Sequence, residues 1–258
     1  MNNLFDVRDQ VVLVTGGSRG IGEMIARAFV ENGARVLISS RNVEACQYLA
    51  EELSRHGHCE AHPFDLATGE GVAGLAEAVE RRGGALDVLI NNAGATWGAP
   101  LDTYPESGWD KTFNLNLRTP FFLTQKLLPA LRRSATADKP SRIINIASID
   151  GISPPDFDSF AYSASKAGLL MLTRHMAGKL ARDNVLVNAI APGFFPSKMT
   201  ESSLREMGDE VLEATPLGRL GRAEDIGGVA LFLAARASAF MTGAVVPCDG
   251  GLSTTGRS

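Results

Sequence analysis

Seven short runs rich in Val, Ile and Leu recur along the chain, at positions 11–15, 35–39, 59–64, 87–91, 142–147, 185–190 and 244–247. Longer segments with helical periodicity separate them, and strands alternating with helices predict a parallel sheet. The runs are apolar at successive positions and do not alternate with polar ones, so both faces of the sheet should be covered by helices. The expected class is α/β, a doubly wound three-layer sandwich around seven parallel strands.

No linker, composition shift or internal repeat divides the 258 residues, and one domain spanning 1–258 is expected. Residues 193–221 form a longer excursion at the carboxyl edge, where such sheets bind ligands, and are expected to act as a substrate lid. Residues 253–258 read as a flexible tail. The stretch 228–246 is apolar, but Arg236 and Gly243 interrupt it before Pro247. It reads as a buried helix and strand, so no membrane association is expected.

Composition narrows the function. The 27 glycines are roughly 10% of the chain against an average of about 7%, which implies unusual backbone turning or close backbone approach. A net charge of −4 with no basic block argues against nucleic acid as a partner. Cys46, Cys59 and Cys248 are the only cysteines; their odd number and lack of CxxC spacing exclude a disulfide framework and a four-thiolate zinc site. The opening MNNLFDVRDQ has no basic segment and apolar run of a secretory signal. A cytoplasmic location is expected.

The first strand ends in Thr15-Gly16-Gly17-Ser18-Arg19-Gly20-Ile21-Gly22 and opens a helix. Glycines at 16, 20 and 22 let the chain turn tightly, admit a pyrophosphate to the backbone and pack the helix close to the sheet. The helix then directs free N–H groups and its positive dipole end at the phosphates. The spacing is TGxxxGxG and not GxGxxG, and its position after the first strand favours a dinucleotide cofactor over an ordinary turn. At the end of the second strand, where a carboxylate would hold a ribose with free hydroxyls, stand Ser40 and Arg41. With Arg19 they favour NADP(H) over NAD(H), because a guanidinium fork suits a 2′-phosphate. Asp65, followed by Leu66, closes the third strand; its carboxylate either caps the next helix, in competition with Thr68, or accepts the adenine amino group. Asn92, Ala93 and Gly94 follow the fourth strand and would let the cofactor ribose lie against it.

Tyr162 and Lys166 stand at i and i+4 in a long helical segment, so their side chains share a face. A tyrosine titrates near pH ~10, and a nearby ammonium together with a cationic nicotinamide would favour its phenolate. Ser148 ends the fifth strand on the same edge, where its hydroxyl would hold a substrate carbonyl oxygen. A cluster of His56, His58, Cys59 and His62 places His58, Glu60 and His62 on one strand face, but no matching ligands stand near it in sequence, and no metal is expected.

Taken together, the TGxxxGxG turn, NNAG, Ser148 and YxxxK resemble the single-domain branch of the short-chain dehydrogenase/reductase family, over 11–251. The resemblance implies a Rossmann-type sheet of order 3-2-1-4-5-6-7, hydride transfer with a nicotinamide cofactor, and a homotetramer. By position, Ser148, Tyr162 and Lys166 match the family's catalytic triad. Asn116 matches the asparagine that supports a proton-relay water; Asn114 is the neighbouring alternative, and the register of the following LRTPFFLTQ selects Asn116. Pro192 and Gly193 match the turn after the sixth strand, and Ser197 stands where the family commonly uses Thr on the nicotinamide amide. The Ser-to-Tyr interval is 14 residues where 13 is common, and the extra residue falls in the loop GISPPDFDSF, expected to wall the pocket.

The expected activity is reduction of a ketone to a secondary alcohol by NADPH. A 3-oxoacyl thioester or similar apolar oxo compound suits the apolar candidates Trp97, Ile152, Phe157, Phe194 and Phe195. The same residues would serve an NADP-linked dehydrogenase of a polyol, steroid or other secondary alcohol. A non-catalytic nucleotide-sensing protein on the same fold would have no need of Ser148, Tyr162 and Lys166 together.

Overall fold

The computed structural model describes residues 4–197 and 201–254. The apolar runs form β1 (Val11–Thr15), β2 (Arg35–Ser39), β3 (His58–His62), β4 (Val88–Asn91), β5 (Ser141–Ile146), β6 (Val185–Pro192) and β7 (Val245–Cys248). They pair in parallel in the order β3-β2-β1-β4-β5-β6-β7, as the family resemblance implies. Strand three stops at His62, short of the expected 64, because Pro63 has no N–H to continue the ladder. Strand six runs two residues further than expected, pairing Ala191 with Pro247 and Pro192 with Cys248.

Among the described residues eight α-helices accompany the sheet: α1 (Gly20–Glu31), α2 (Val43–Leu53), α3 (Gly69–Arg81), α4 (Glu106–Phe113), α5 (Thr119–Ser134), α6 (Phe160–Leu180), α7 (Glu201–Ala214) and α8 (Ala223–Ala234). Successive strand residues enter different cores. Val12, Val14, Ile38, Ile90 and Ile144 pack with Ile25, Phe29, Leu49 and Leu233 of α1, α2 and α8. Leu13, Leu37, Leu89 and Ile143 pack on the other side with Leu75, Leu123 and Leu127 of α3 and α5. Two covered faces are the reason the strands are apolar throughout. The expected lid contains α7, residues 198–200 lie outside the described ones, and so do residues 255–258 of the expected tail. Residues 228–246 are the end of α8, a short turn and the start of β7; among the described residues no helix is long and apolar enough to cross a membrane.

Strand order reverses between β1 and β4, and the crevice at a carboxyl edge opens at such a reversal. A buried polar chain braces that edge. Asn91 Nδ2 donates to Asn145 Oδ1 at 2.9 Å, Asn145 Nδ2 donates to Thr173 Oγ1 at 2.9 Å, and Thr173 Oγ1 donates to Leu169 O at 2.8 Å. The chain ties β4 and β5 to α6. Asn145→Ala orphans a buried donor and a buried acceptor, and should lower unfolding stability by about 2–4 kcal/mol; a lower urea midpoint at unchanged denaturant slope is the measurement that checks it.

Candidate active site

The turn after β1 is held by the exit of β4. Thr15 Oγ1 accepts the N–H groups of Asn92 and Ala93, each at 3.0 Å, and donates to Ile90 O at 3.2 Å. Asn92 Nδ2 donates back to Thr15 O at 2.9 Å and to Gly16 O at 3.2 Å. Gly16 and Gly20 have φ of +63° and +55°, a region that disfavours a Cβ, and a Cβ on Gly22 would run into Gly16 O and Asn92 Nδ2. Arg19 is the N-cap of α1, but its side chain makes no capping bond. The N–H groups of Gly20, Ile21 and Gly22 therefore lack an intrahelical partner and crown the helix with unsatisfied donors. Ser18 lies in the same turn, half-buried.

At the β2 end of the crevice, Ser40 Oγ donates to Asn42 O and accepts Asn42 N–H, both at 3.2 Å. Arg19 and Arg41 are exposed, and neither forms an ion pair with a described residue. Asp65 does not cap α3: Thr68 Oγ1 accepts Gly71 N–H at 2.9 Å and takes that role. Asp65 Oδ1 accepts Ala67 N–H at 3.0 Å, and the side chain is exposed at the end of β3. Leu66 is buried behind it, its carbonyl accepting Thr119 Oγ1–H at 2.7 Å.

The other half of the crevice gathers the polar residues of β5 and α6. Ser148 caps the short 3-10 turn Ile149–Gly151, with Asp150 N–H donating to Ser148 Oγ at 3.1 Å. Lys166 is 4% exposed; its Nζ donates to Ile146 O at 2.7 Å and lies 5.5 Å from the Tyr162 ring centroid. A Cβ on Gly94 would sit 3.7 Å from Lys166 Nζ and 3.2 Å from Asn116 Oδ1, so Gly94, Lys166 and Asn116 meet. Between α4 and α5 the chain forms a π-helical turn, Asn114–Arg118, a wide turn of the kind found often at functional sites. It presents Asn116, 1% exposed, to the backbone of Ala95, whose N–H donates at 2.8 Å and whose carbonyl accepts at 2.9 Å. Asn116 Nδ2 also donates to Ser165 Oγ at 3.0 Å. Asn114 turns elsewhere and donates to Ala67 O at 2.6 Å. After Pro192, a Cβ on Gly193 would meet Asp249 Cα at 2.8 Å, and Ser197 Cβ is 3.1 Å from where a Cβ on Gly20 would stand.

Burial dominates the acid–base chemistry. It pushes the Tyr162 phenol above its ordinary value, the Asp150 charge adds to the shift, and hydrogen bonding with Ser148 opposes it. Burial also brings the Lys166 ammonium down to about 8, against the opposing pull of Asp150. Tyr162 is thus a phenol at neutral pH and a proton donor in form.

Several pocket candidates are placed differently from expectation. Phe195 is 2% exposed and belongs to the core, where Gly221 makes room for its ring. Trp97 is half-buried, packs on Gly108 and carries the Lys111 ammonium 5.2 Å from its ring centroid. Phe157 and Phe194 meet edge to face at 6.3 Å, joining the loop before α6 to the exit of β6, and Ile152 is exposed nearby in sequence. On β3, Glu60 is bonded by Arg82 Nε at 2.7 Å, and no three His, Cys, Asp or Glu side chains converge among the described residues. Asp150, Ser165 and the π turn had escaped the sequence reading. An acidic residue two positions beyond Ser148 was the available signal for the first.

Comparison with known proteins gives one consistent relationship. The family model described as Enoyl-(Acyl carrier protein) reductase matches residues 16–253. The chain is 47% identical over 255 residues to the rhamnolipids biosynthesis 3-oxoacyl-[acyl-carrier-protein] reductase of Pseudomonas aeruginosa, covering 97% of this chain and 99% of that protein. It is 36% identical over 248 residues to the 3-oxoacyl-[acyl-carrier-protein] reductase FabG of Thermotoga maritima, covering 94% and 97%. The Pseudomonas aeruginosa RhlG/NADP active-site complex superposes with a TM-score of 0.95 at 46% identity, covering 98% of this chain and 100% of that one.

Lys166 carries a stability consequence. Its folded pKa lies below the unfolded one, so the folded site holds the charged amine at a cost below pH about 8, and stability should rise as pH increases from there to the unfolded value of ~10.4. Lys166→Met should therefore melt higher than the parent at pH 7 without ligand while losing turnover. The stability difference should shrink across that alkaline window in thermal melts at stepped pH.

Proposed function

As a member of the short-chain dehydrogenase/reductase family the chain is an oxidoreductase, and we propose that it uses NADPH to reduce the ketone of a 3-oxoacyl thioester to a secondary alcohol. The observation that carries the reading is the meeting of Ser148, Tyr162, Lys166 and Asn116 on the same sheet edge as the uncapped N-terminus of α1. The relative at 47% identity is itself a 3-oxoacyl-[acyl-carrier-protein] reductase, and the structural neighbour at 46% is an NADP complex.

The residues present fit the cofactor. Three unsatisfied N–H groups and a turn with no room for a Cβ at Gly22 suit a pyrophosphate. Two exposed guanidiniums, Arg19 and Arg41, suit the 2′-phosphate, with Ser40 between the strand and Arg41. Asp65 and the backbone of Leu66 would receive the adenine, Asn92, Ala93 and Gly94 the ribose side, and Pro192, Gly193 and Ser197 the nicotinamide amide. When bound, the reduced nicotinamide supplies the hydride for the carbonyl carbon. Ser148 Oγ orients the carbonyl oxygen, and Tyr162 gives its phenolic proton to that oxygen as negative charge grows there. Lys166, within reach of the ribose side, stabilises the phenolate left behind, and Asn116 holds the Ala95 backbone and α6 in register for reprotonation from solvent. The part-exposed pair Phe157 and Phe194 suits an acyl chain.

The same reading extends to assembly and location. The outer surface of α4, the π turn, α5 and α6 bears an open cleft of about 800 Å³ lined by Trp109, Phe113, Phe121, Phe122 and Met171. An exposed apolar patch of this kind marks a protein contact, and a second copy of the chain is the proposed occupant, leading to the homotetramer expected for the family. Three free thiols, two of them buried, suit a reducing cytoplasm.

A panel of 3-oxoacyl thioesters, enoyl thioesters, sugar acids and steroids, with NADPH and NADH compared, tests the reading. Thioester ketone reduction should dominate, and Tyr162→Phe should reduce turnover by about 10²–10⁴-fold while NADPH still binds. Turnover of only enoyl thioesters or sugar acids would replace the substrate, and near-normal turnover in Tyr162→Phe would remove the proton donor. Separately, Arg41→Asp should collapse the ratio of NADPH to NADH affinity, by about tenfold for each ~1.4 kcal/mol of lost phosphate contact. An unchanged ratio in fluorescence titrations makes Arg41 a plain surface charge.

A further inference from the structure

The first turns of α6 contain a buried hydroxyl to which the reading above gives no task. Ser165 is 0% exposed and stands between Tyr162 and Lys166 in the helix. Its Oγ donates to Tyr162 O at 2.7 Å and accepts from Asn116 Nδ2 at 3.0 Å. A hydroxyl has one proton to give. Here it goes to the Tyr162 carbonyl, and the oxygen meets Asn116 as an acceptor.

The partners of Asn116 allow its amide one orientation. Oδ1 accepts Ala95 N–H at 2.8 Å, and Nδ2 donates to Ala95 O at 2.9 Å as well as to Ser165 Oγ. A flipped amide would set oxygen against the Ala95 carbonyl and nitrogen against the Ala95 N–H. The bonds therefore run in one direction, from the backbone of Ala95 through Asn116 and Ser165 to the carbonyl of Tyr162. Both ends of this chain border the acid–base groups. Ala95 follows Gly94, on which a Cβ would lie 3.7 Å from Lys166 Nζ, and Lys166 Nζ is itself held by Ile146 O at 2.7 Å.

We propose that Ser165 is a positioning residue for the reaction: its hydroxyl sets the first turns of α6, and with them Tyr162 and Lys166, against the loop that leaves β4. The proposal rests on the reading of Tyr162 and Lys166 as the acid–base pair. Ser165 acts through its two bonded neighbours and not on the substrate.

The hydroxyl is what the site requires, more than a small side chain. Alanine would occupy the same space but leave an Asn116 N–H without its acceptor, at a residue only 1% exposed. An orphaned buried donor is costly, and relieving it means moving the amide, the π turn or the start of α6. The apolar contact beside it does not substitute for the bond. Leu117 of the π turn packs at Gly168, where a Cβ would lie 3.1 Å from Leu117 Cδ2; such packing has no directional preference, whereas a hydrogen bond weakens steeply with angle. Displacement of this kind matters for catalysis because a misplacement of about 1 Å at a reacting centre costs on the order of 10²-fold in rate.

The test compares the parent with Ser165→Ala, with Ser165→Cys, whose thiol fills the space but bonds weakly, with Asn116→Ala, and with the Asn116→Ala/Ser165→Ala double variant. Single-turnover reduction of a 3-oxoacyl thioester is followed from preformed NADPH complexes by loss of nicotinamide absorbance. NADPH affinity is read separately, without substrate, by fluorescence titration. Ser165→Ala and Ser165→Cys should each slow the single turnover by about tenfold, the scale of a displacement of a fraction of an ångström, while the NADPH dissociation constant stays within about twofold of the parent. In the Asn116→Ala background the same Ser165→Ala change should cost little, because the bond it removes is already gone. A parent-like rate in either single Ser165 variant overturns the proposal. So does an equal loss from Ser165→Ala with and without Asn116, which makes Ser165 a packing residue. Failure of the underlying reading is separate: Tyr162→Phe would then keep turnover, irrespective of the Ser165 variants.

Discussion

The geometry of the whole crevice depends on how closely the backbone leaving β1 can approach the backbone leaving β4. Thr15 and Asn92 lock the two exits together through hydrogen bonds of 2.9 to 3.2 Å. A side chain at Gly22 would strike that lock. With the exits fixed, the first turn of α1 is aimed along the edge, and Gly94, one residue past the lock, is brought against Lys166 and Asn116. The uncapped start of α1 and the side chains of Lys166 and Asn116 are thus placed relative to each other by one close approach of two strand exits. The buried chain from Asn91 through Asn145 to Thr173 extends the same restraint to α6. Such networks are costly when incomplete, and this one uses each amide nitrogen it buries.

Burial at the catalytic edge has opposite effects on two neighbours. It makes Tyr162 a weaker acid and Lys166 a weaker base, since each charged form loses hydration. A phenol that holds its proton is unsuited to acting as a base before the substrate arrives. On the proposed reading it would become a donor when negative charge develops on the substrate oxygen, where a fixed hydroxyl and a nearby ammonium favour the transferred state. The ammonium close to its own titration point is consistent with a site assembled for function at some expense of stability.

Much of this was legible in the chain. The apolar runs revealed seven strands because both faces of a covered parallel sheet select Val, Ile and Leu, and the order of Gly turn, NNAG, Ser148 and Tyr162-x-x-x-Lys166 follows the sheet edge. What stayed hidden depends on tertiary choice. Thr68 wins the cap of α3 over Asp65 because its hydroxyl reaches Gly71 N–H, and both residue types are good caps in sequence. The π turn around Asn116 has no periodicity of its own, being one residue inserted into a continuous helical pattern. Phe195 reads like its neighbour Phe194, yet one enters the core and the other meets Phe157. Alternation at a strand exit separates two adjacent aromatics that composition treats alike.

The distribution of charge in the crevice gives it a direction. Exposed Arg19 and Arg41 stand past the ends of β1 and β2, and Asp150 stands beside Ser148 past β5, a contrast invisible in a net charge of −4. Over a distance beyond the Debye length of ~10 Å at 0.1 M salt, exposed charges are screened, so the arginines would contribute to selectivity only where a phosphate touches them. A half-buried carboxylate is screened less. On the proposed reading the two ends would act by different physics: contact and guanidinium geometry would select the cofactor at the exposed end, and burial governs the ionisation of Tyr162 and Lys166 at the other. Separating them across the sheet edge would let the cofactor preference change by substitution at Arg41 without disturbing the ionisation of Tyr162.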